Sequence, residues 1–308
     1  MVTTNVVFLI DIQNGFARSD LTPEQGGSLY VPGGENVGEP AANLIRHLSE
    51  ATIVMSQDFH PADHISFASN HKGAEPLSTL QLAKGEDGKY SEAVDPCECV
   101  ISQMMWLDHC VQGTPSALFV APIMAELPHH LMMALEAHFS GSVLYGRDDR
   151  QNSFFVVRKG TRPDLDSYGI ATENDGISST NAPAAFSMIA YDLQQKGVTD
   201  TNIYIGGLAT NFCVEFSHKD VCKYLVPMLE QRGIKANVHL LTDISAAIPI
   251  AIPDGSWPDM ASALKRMSAV RATKETTTED LIRSLAKTHN RKTKWKLMPS
   301  PAHNFLIF

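Results

Sequence analysis

Residues Asn202–His218 read NIYIGGLATNFCVEFSH. The first half is a short apolar run with Ile203, Tyr204 and Ile205, the pattern of a buried strand. Two glycines and an Ala-Thr-Asn turn follow, and Cys213 falls where a helix is expected to begin. A cysteine there sits among backbone N–H groups without intrahelical partners, at the positive end of the helix dipole. Both features favour the thiolate and make Cys213 a candidate nucleophile. The competing reading is a buried structural thiol, because free cysteine is among the most buried residue types. The decision rests on whether other strand ends supply a base and a cation.

Four more stretches match the strand half of this one. VVFLI (6–10) runs into Asp11, and TIVMS (52–56) ends just before Asp58. SFFVV (153–157) terminates at Arg158-Lys159-Gly160, and VHLLT (238–242) is the fifth. Continuous apolar, β-branched runs are strands covered on both faces. Helical spacing recurs over 37–50, 183–196 and 258–269, and the helix after Cys213 is expected to run to about residue 231. Such alternation predicts an α/β fold: a doubly wound, mostly parallel sheet with helices on both faces, a Rossmann-like three-layer sandwich. Parallel strands end on one edge, so Asp11, Lys159 and Cys213 can meet although distant in sequence. Taken singly, the aspartate would pass for a helix cap and the lysine for a solvated surface charge. Together they supply a base, a cation that stabilises a thiolate, and a nucleophile, with backbone N–H groups to receive an oxyanion. That is the chemistry of acyl transfer from an amide through a thioester.

A second cluster follows the second strand. In the extended DFHPADH (58–64), Asp58 and His60 point to the same side, and His64 can join them if the Pro61 turn folds back. Carboxylate with imidazole suits zinc, iron or manganese. Asp-x-His alone is a weak signal, since a solvated turn explains it more often. WLDHCVQGT (106–114) adds a further potential metal histidine, His109, beside Trp106, an aromatic able to wall a flat substrate.

Composition narrows the partners. A net charge of −9 disfavours nucleic acid and anionic membranes. Residues 1–10 lack a basic region and Asp11 interrupts their apolar run, which argues against a signal peptide. No apolar stretch approaches the roughly 20 residues of a membrane span. Five cysteines without a disulfide-like framework indicate a reduced, cytoplasmic protein. Cys97-x-Cys99 is too tight for the usual zinc pair. Residues 72–100 read as a long polar surface loop, 119–141 as a Met-rich helical stripe, and the stretch from 284 as an irregular tail.

The motifs FLIDIQNGF (8–16), GGSLYVPGG (26–34), DFHPADHISF (58–67), WLDHCVQGT (106–114), RKGTRPDLDSY (158–168) and GGLATNFCV (206–214) are long and ordered. With them the chain resembles the nicotinamidase group of the isochorismatase-like cysteine hydrolases over most of residues 5–282. The resemblance implies Asp11, Lys159 and Cys213 as the triad. It implies Asp58, His60 and His109 as ligands of one divalent metal, zinc or else iron or manganese, with His64 as a possible fourth. It places Phe16, Trp106 and Tyr168 around a pyridine ring, and implies a cis peptide between Leu208 and Ala209 that aims the Ala209 and Cys213 amides at an oxyanion. The implied activity is metal-dependent hydrolysis of nicotinamide to nicotinate and ammonia, a step of NAD salvage, in a possible homo-oligomer. The W-x-x-H-C segment carries most weight for substrate, since relatives without the metal lack it.

Three positions depart from the family pattern: Gly15 where an acidic residue is usual, Leu107 where proline is usual, and Gly169 where serine is common. Residues 1–283 are expected to form the hydrolase domain with an inserted segment at about 115–152, and 284–308 a C-terminal extension. The alternatives are an amide or carbamoyl hydrolase acting on a non-pyridine substrate and a non-catalytic binding or assembly module, which would not need all three of Asp11, Lys159 and Cys213.

Overall fold

Strand β1 (Thr3–Ile10) is apolar on both sides, and each side feeds a different core. Val7 and Leu9 pack on one face of the sheet with Leu44, Ile45 and Leu281. Val6, Phe8 and Ile10 pack on the other with Phe186, Ile189 and Leu229. Fully burying a side chain of this size contributes about 1.5–3 kcal/mol, so the two cores hold the sheet between helical layers. The computed structural model describes residues 2–95, 99–139, 141–250 and 259–296, with side chains as far as residue 287.

The remaining strands are β2 (Thr52–Asp58), β3 (Thr79–Lys84), β4 (Tyr90–Glu92), β5 (Ile101–Met104), β6 (Val143–Arg147), β7 (Ser153–Lys159), β8 (Asp200–Gly207), β9 (Lys235–Leu241) and β10 (Thr273–Thr276). Seven form one sheet in the order β10-β9-β8-β1-β2-β7-β6, parallel except for the β6–β7 pair. The helices are α1 (Asn14–Ala17), α2 (Gly38–His47), α3 (Ala121–Met124), α4 (His129–Glu136), α5 (Ala182–Gln195), α6 (Glu215–Asp220), α7 (Val226–Glu230), α8 (Met260–Val270) and α9 (Thr278–Lys296). Residues of α2, α3, α4 and α9 join the first core, and those of α5, α7 and α8 the second. This is the doubly wound sandwich expected. Strand order reverses at β1, with β2 on one side and β8 on the other, and ligands of open α/β sheets bind at such a point.

Several local expectations are corrected. The stretch read as a polar loop contains β3 and β4, which form with β5 a separate antiparallel sheet in the order β4-β3-β5. Only Leu82 and Tyr90 of those two strands are buried, so the apolar alternation that marks a strand is nearly absent. The Met-rich stripe is two helices, α3 and α4, broken at Pro128, whose ring cannot continue a helix ladder. Segment 115–152 also supplies the antiparallel edge strand β6. The tail is not irregular from 284: α9 runs through that position to Lys296, while 297–308 and Cys97 lie outside the described residues. No described helix is long and apolar enough to cross a membrane.

Candidate active site

Asp11 follows β1, Lys159 closes β7 and Cys213 follows β8, so the sheet brings all three to one edge. Lys159 Nζ lies 3.0 Å from Asp11 Oδ2 and 3.6 Å from Cys213 Sγ. It also donates to Asp58 Oδ1 at 3.1 Å and to the Ser167 carbonyl at 3.0 Å. The side chains of Asp11 and Lys159 are fully shielded from solvent. Ser56 fixes Asp11 twice, accepting from its backbone N–H at 3.1 Å and donating to Oδ1 at 2.6 Å. Asp11 Oδ2 faces Lys159 Nζ as an ion pair at 3.0 Å. Asp11 adopts a left-handed backbone, φ 48°, a conformation costly for an L-residue and concentrated at functional sites.

Charge couples the three groups. Burial pushes the Asp11 carboxyl above its usual value, with Lys159 opposing and Asp58 adding. Burial works against the Lys159 ammonium too, but Asp11, Asp58 and Cys213 outweigh it and hold its pKa well above the ordinary lysine value. Burial raises the Cys213 thiol well above its usual value; Lys159 pulls it down, while Asp11 and Asp58 push it up. This corrects the expectation of a thiolate favoured by a helix mouth. Cys213 is the fourth residue of a π-helical turn, Thr210–Val214, ahead of the short α6, and only 7% of it is exposed. A thiol so placed needs a base within reach before it can act as a nucleophile.

The peptide between Leu208 and Ala209 is cis. The Ala209 carbonyl accepts from the N–H groups of Phe212 and Val214, both at 3.1 Å, passing over the amide of Cys213 between them.

The histidines cluster at the end of β2, on the other side of Lys159. Asp58 Oδ2 lies 3.1 Å from His60 Nε2 and 3.6 Å from His109 Nε2. The opposite nitrogens are anchored: His60 Nδ1 is 2.9 Å from the Gly160 carbonyl and His109 Nδ1 is 2.7 Å from the Leu107 carbonyl. A carbonyl only accepts, so Nδ1 carries the proton in each ring and a neutral ring presents its Nε2 lone pair. His64 Nδ1 pairs with Ser66 Oγ at 2.7 Å, and its buried Nε2 has no partner. A carboxylate oxygen and imidazole lone pairs converging in this way form a donor set for a divalent cation, with the outer hydrogen bonds that orient metal-binding histidines. The ligand atoms of Asp58, His60 and His109 lie within 4.8 Å of one another, as do those of His60, His64 and Asp166. The residues therefore fit a metal ion. Burial opposes the Asp58 charge, but His60, Lys159 and His109 hold its carboxyl well below the usual range. Burial and the neighbouring His60 push His64 down to about 3, which keeps it neutral.

Cys213 and the Asp58–His60–His109 cluster face one cleft. Phe16, Trp106 and Tyr168 line it, as the sequence suggests, together with Leu29, Val31, Phe212 and Ile248. Phe212 meets Trp106 edge-on at 5.4 Å and Tyr168 at 5.9 Å, so three rings form one wall. The lining is mostly apolar.

No protein-family model matches the chain. A nicotinamidase of Acinetobacter baylyi is 32% identical over 268 residues, covering 85% of this chain and 92% of the relative. One of Escherichia coli is 30% identical over 270 residues, covering 87% and 92%. The chain belongs to the nicotinamidases. It is an amidohydrolase, and its sheet is theirs as well. A nicotinamidase and pyrazinamidase from Acinetobacter baumanii superposes with a TM-score of 0.57 at 23% identity, over 90% of this chain and 98% of that one. The yeast nicotinamidase bound to the inhibitor nicotinaldehyde gives a TM-score of 0.57 at 22% identity, over 89% and 100%.

Against the nicotinamidase pattern, two of the three departures have a steric reason. A Cβ on Gly15 would fall 2.5 Å from Ser116 Oγ and 2.8 Å from Cys110 Sγ, leaving no room for an acidic side chain. A Cβ on Gly169 would fall 2.2 Å from Asp220 Oδ2. Leu107 is half-exposed, and nothing in the structure explains it. Sequence reasoning missed Phe212, Ile248 and Asp166. Phe212 adjoins Cys213 and was readable as a neighbour of the nucleophile; Ile248 has no motif of its own.

Proposed function

We propose that the protein hydrolyses nicotinamide to nicotinate and ammonia, with Cys213 as nucleophile. The observation that carries this reading is Lys159, placed between Asp11 and Cys213 at the foot of an aromatic cleft that also holds Asp58, His60 and His109. The Cys213 thiol passes its proton to Asp11 as sulfur attacks the carboxamide carbon. The amides of Ala209 and Cys213 receive the developing oxyanion. Collapse breaks the C–N bond, Asp11 returns the proton to nitrogen, and ammonia leaves a thioester. Asp11 then takes a proton from water as its oxygen attacks the thioester, and the released sulfur recovers that proton. Lys159 holds Asp11 in place and balances the charge on sulfur.

Asp58, His60 and His109, with His64 beside them, would hold one divalent ion, zinc by the balance of its donors. Such an ion supplies a Lewis acid for the pyridine nitrogen. Phe16, Trp106, Tyr168 and Phe212 sandwich the ring and keep bulk water from the thioester.

Benzamide keeps the ring and carboxamide but lacks the nitrogen, so it separates a pyridine amidase from a general one. The zinc-loaded protein should prefer nicotinamide by about 10²-fold or more in kcat/KM, and His109→Ala should erase most of that preference. Equal turnover of both amides by the wild type would overturn the assignment of substrate.

A further inference from the structure

Asp220 is a buried carboxylate that the proposed chemistry does not use. It is seven residues beyond Cys213, at the end of α6, and only 4% exposed. Its Oδ2 accepts from the N–H of Ala171 at 2.7 Å and of Thr172 at 2.9 Å, and its Oδ1 from Thr172 Oγ1 at 2.6 Å. One turn earlier on the same helix, Ser217 Oγ accepts from the N–H of Ile170 at 3.1 Å. Three consecutive backbone N–H groups are thus gripped by two side chains of α6, which continues directly from the Cys213 turn. Two of them converge on one carboxylate oxygen, and the third reaches the serine hydroxyl. Gly169 packs against the same carboxylate so closely that any side chain there would collide with it.

What the gripped turn carries decides its meaning. The preceding residues are Ser167, whose carbonyl accepts from Lys159 Nζ, and Tyr168, which forms part of the aromatic wall. Ser167 Oγ donates to the Gly169 carbonyl at 2.8 Å, tying that carbonyl-bearing residue to the gripped turn. We propose that Asp220, assisted by Ser217, is a positioning residue: it locks the 167–172 turn to α6 and so fixes Lys159 and Tyr168 relative to the nucleophile. This rests on the assignment of Lys159 and Cys213 to the reaction. A carboxylate removed from water is costly unless its hydrogen bonds are met, and Asp220 meets them with the donors of this one turn.

The test uses the zinc-loaded full chain at a temperature where every variant is folded. Asp220→Asn keeps the size but loses acceptor capacity, and should lower kcat/KM for nicotinamide by about 10²-fold, with KM raised and kcat lowered together. Ser217→Ala, which frees a single N–H, should lose less, and Thr172→Ser, which keeps the hydroxyl, should stay near wild type. Alkylation of Cys213 by iodoacetamide reads the Lys159–thiol pairing without any substrate, and Asp220→Asn should slow it about threefold or more. A purely structural carboxylate would lower thermal stability and leave the alkylation rate unchanged. Unchanged alkylation in folded Asp220→Asn overturns the inference; should that variant fail to fold, the same result in Ser217→Ala does so. A wild type that ignores nicotinamide but shows the alkylation difference would count against the proposed substrate, not against this role.

Discussion

Two clusters meet at the C-terminal edge of the sheet, and they are held together by different means. Asp11, Lys159 and Cys213 sit on or just beyond strand ends, where burial acts on all three and the Lys159 ammonium opposes it for both Asp11 and Cys213. His60, His64 and His109 sit on loops, each anchored through Nδ1 by a neighbouring oxygen, leaving Nε2 for something else. Asp58 belongs to both: Oδ1 faces Lys159 and Oδ2 faces the histidines. The difference teaches that the first cluster is electrostatically complete as protein, whereas the second is a set of lone pairs whose natural complement is a cation. With Oδ1 toward Lys159 and Oδ2 toward the histidines, one Asp58 carboxylate serves both clusters.

The largest expected effect comes from breaking the first cluster alone. Lys159→Met leaves two buried carboxylates without their cation, which should lower kcat about 10³-fold and destabilise the fold by about 3–5 kcal/mol. Bound zinc per chain, measured on the purified variant, should stay at the wild-type level because Oδ2 of Asp58 is untouched. Loss of zinc with loss of Lys159 would show that the two clusters are one.

A smaller effect separates burial from charge. His60 and His218 are both buried, but Asp58 overcomes burial to raise His60, whereas burial pushes His218 down to about 4. His218 Nε2 pairs with Thr273 Oγ1 at 2.8 Å and with Cys222 Sγ at 3.8 Å, neither of them charged. Its folded pKa lies below the unfolded 6.5, so its stabilising contribution is complete above that value. It is lost as pH falls towards 4. Between about pH 7 and pH 5 it should account for about 2 kcal/mol of lost stability. Denaturant titrations of His218→Gln should show a shallower loss over that window; the same slope as wild type would place the acid sensitivity elsewhere.

The strand-end cluster was legible in the sequence because continuous apolar runs mark strands covered on both faces. A polar residue ending such a run, as Asp11 and Lys159 do, marks the active edge. The metal cluster was legible only through motif resemblance, since Asp-x-His spacing alone does not distinguish ligands from a solvated turn. Other parts were hidden for physical reasons. Strands β3 and β4 are short and mostly exposed, so their residues carry no apolar period. Strand β10 is the polar TKET, recognisable only by its pairing with β9. The Cys213 thiol is raised first by burial and then by carboxylates from the ends of two other strands, neither of which a local reading of residues 202–218 contains. Asp220 looks like any polar residue on a helix until the turn at 170–172 is seen to close on it.

Ammonia release from nicotinamide, followed with zinc-loaded wild type and Cys213→Ala side by side, tests the central claim most directly. The account predicts steady release by the wild type and loss of at least about 10³-fold in the variant, with the same zinc content in both. Comparable ammonia release by Cys213→Ala would contradict it.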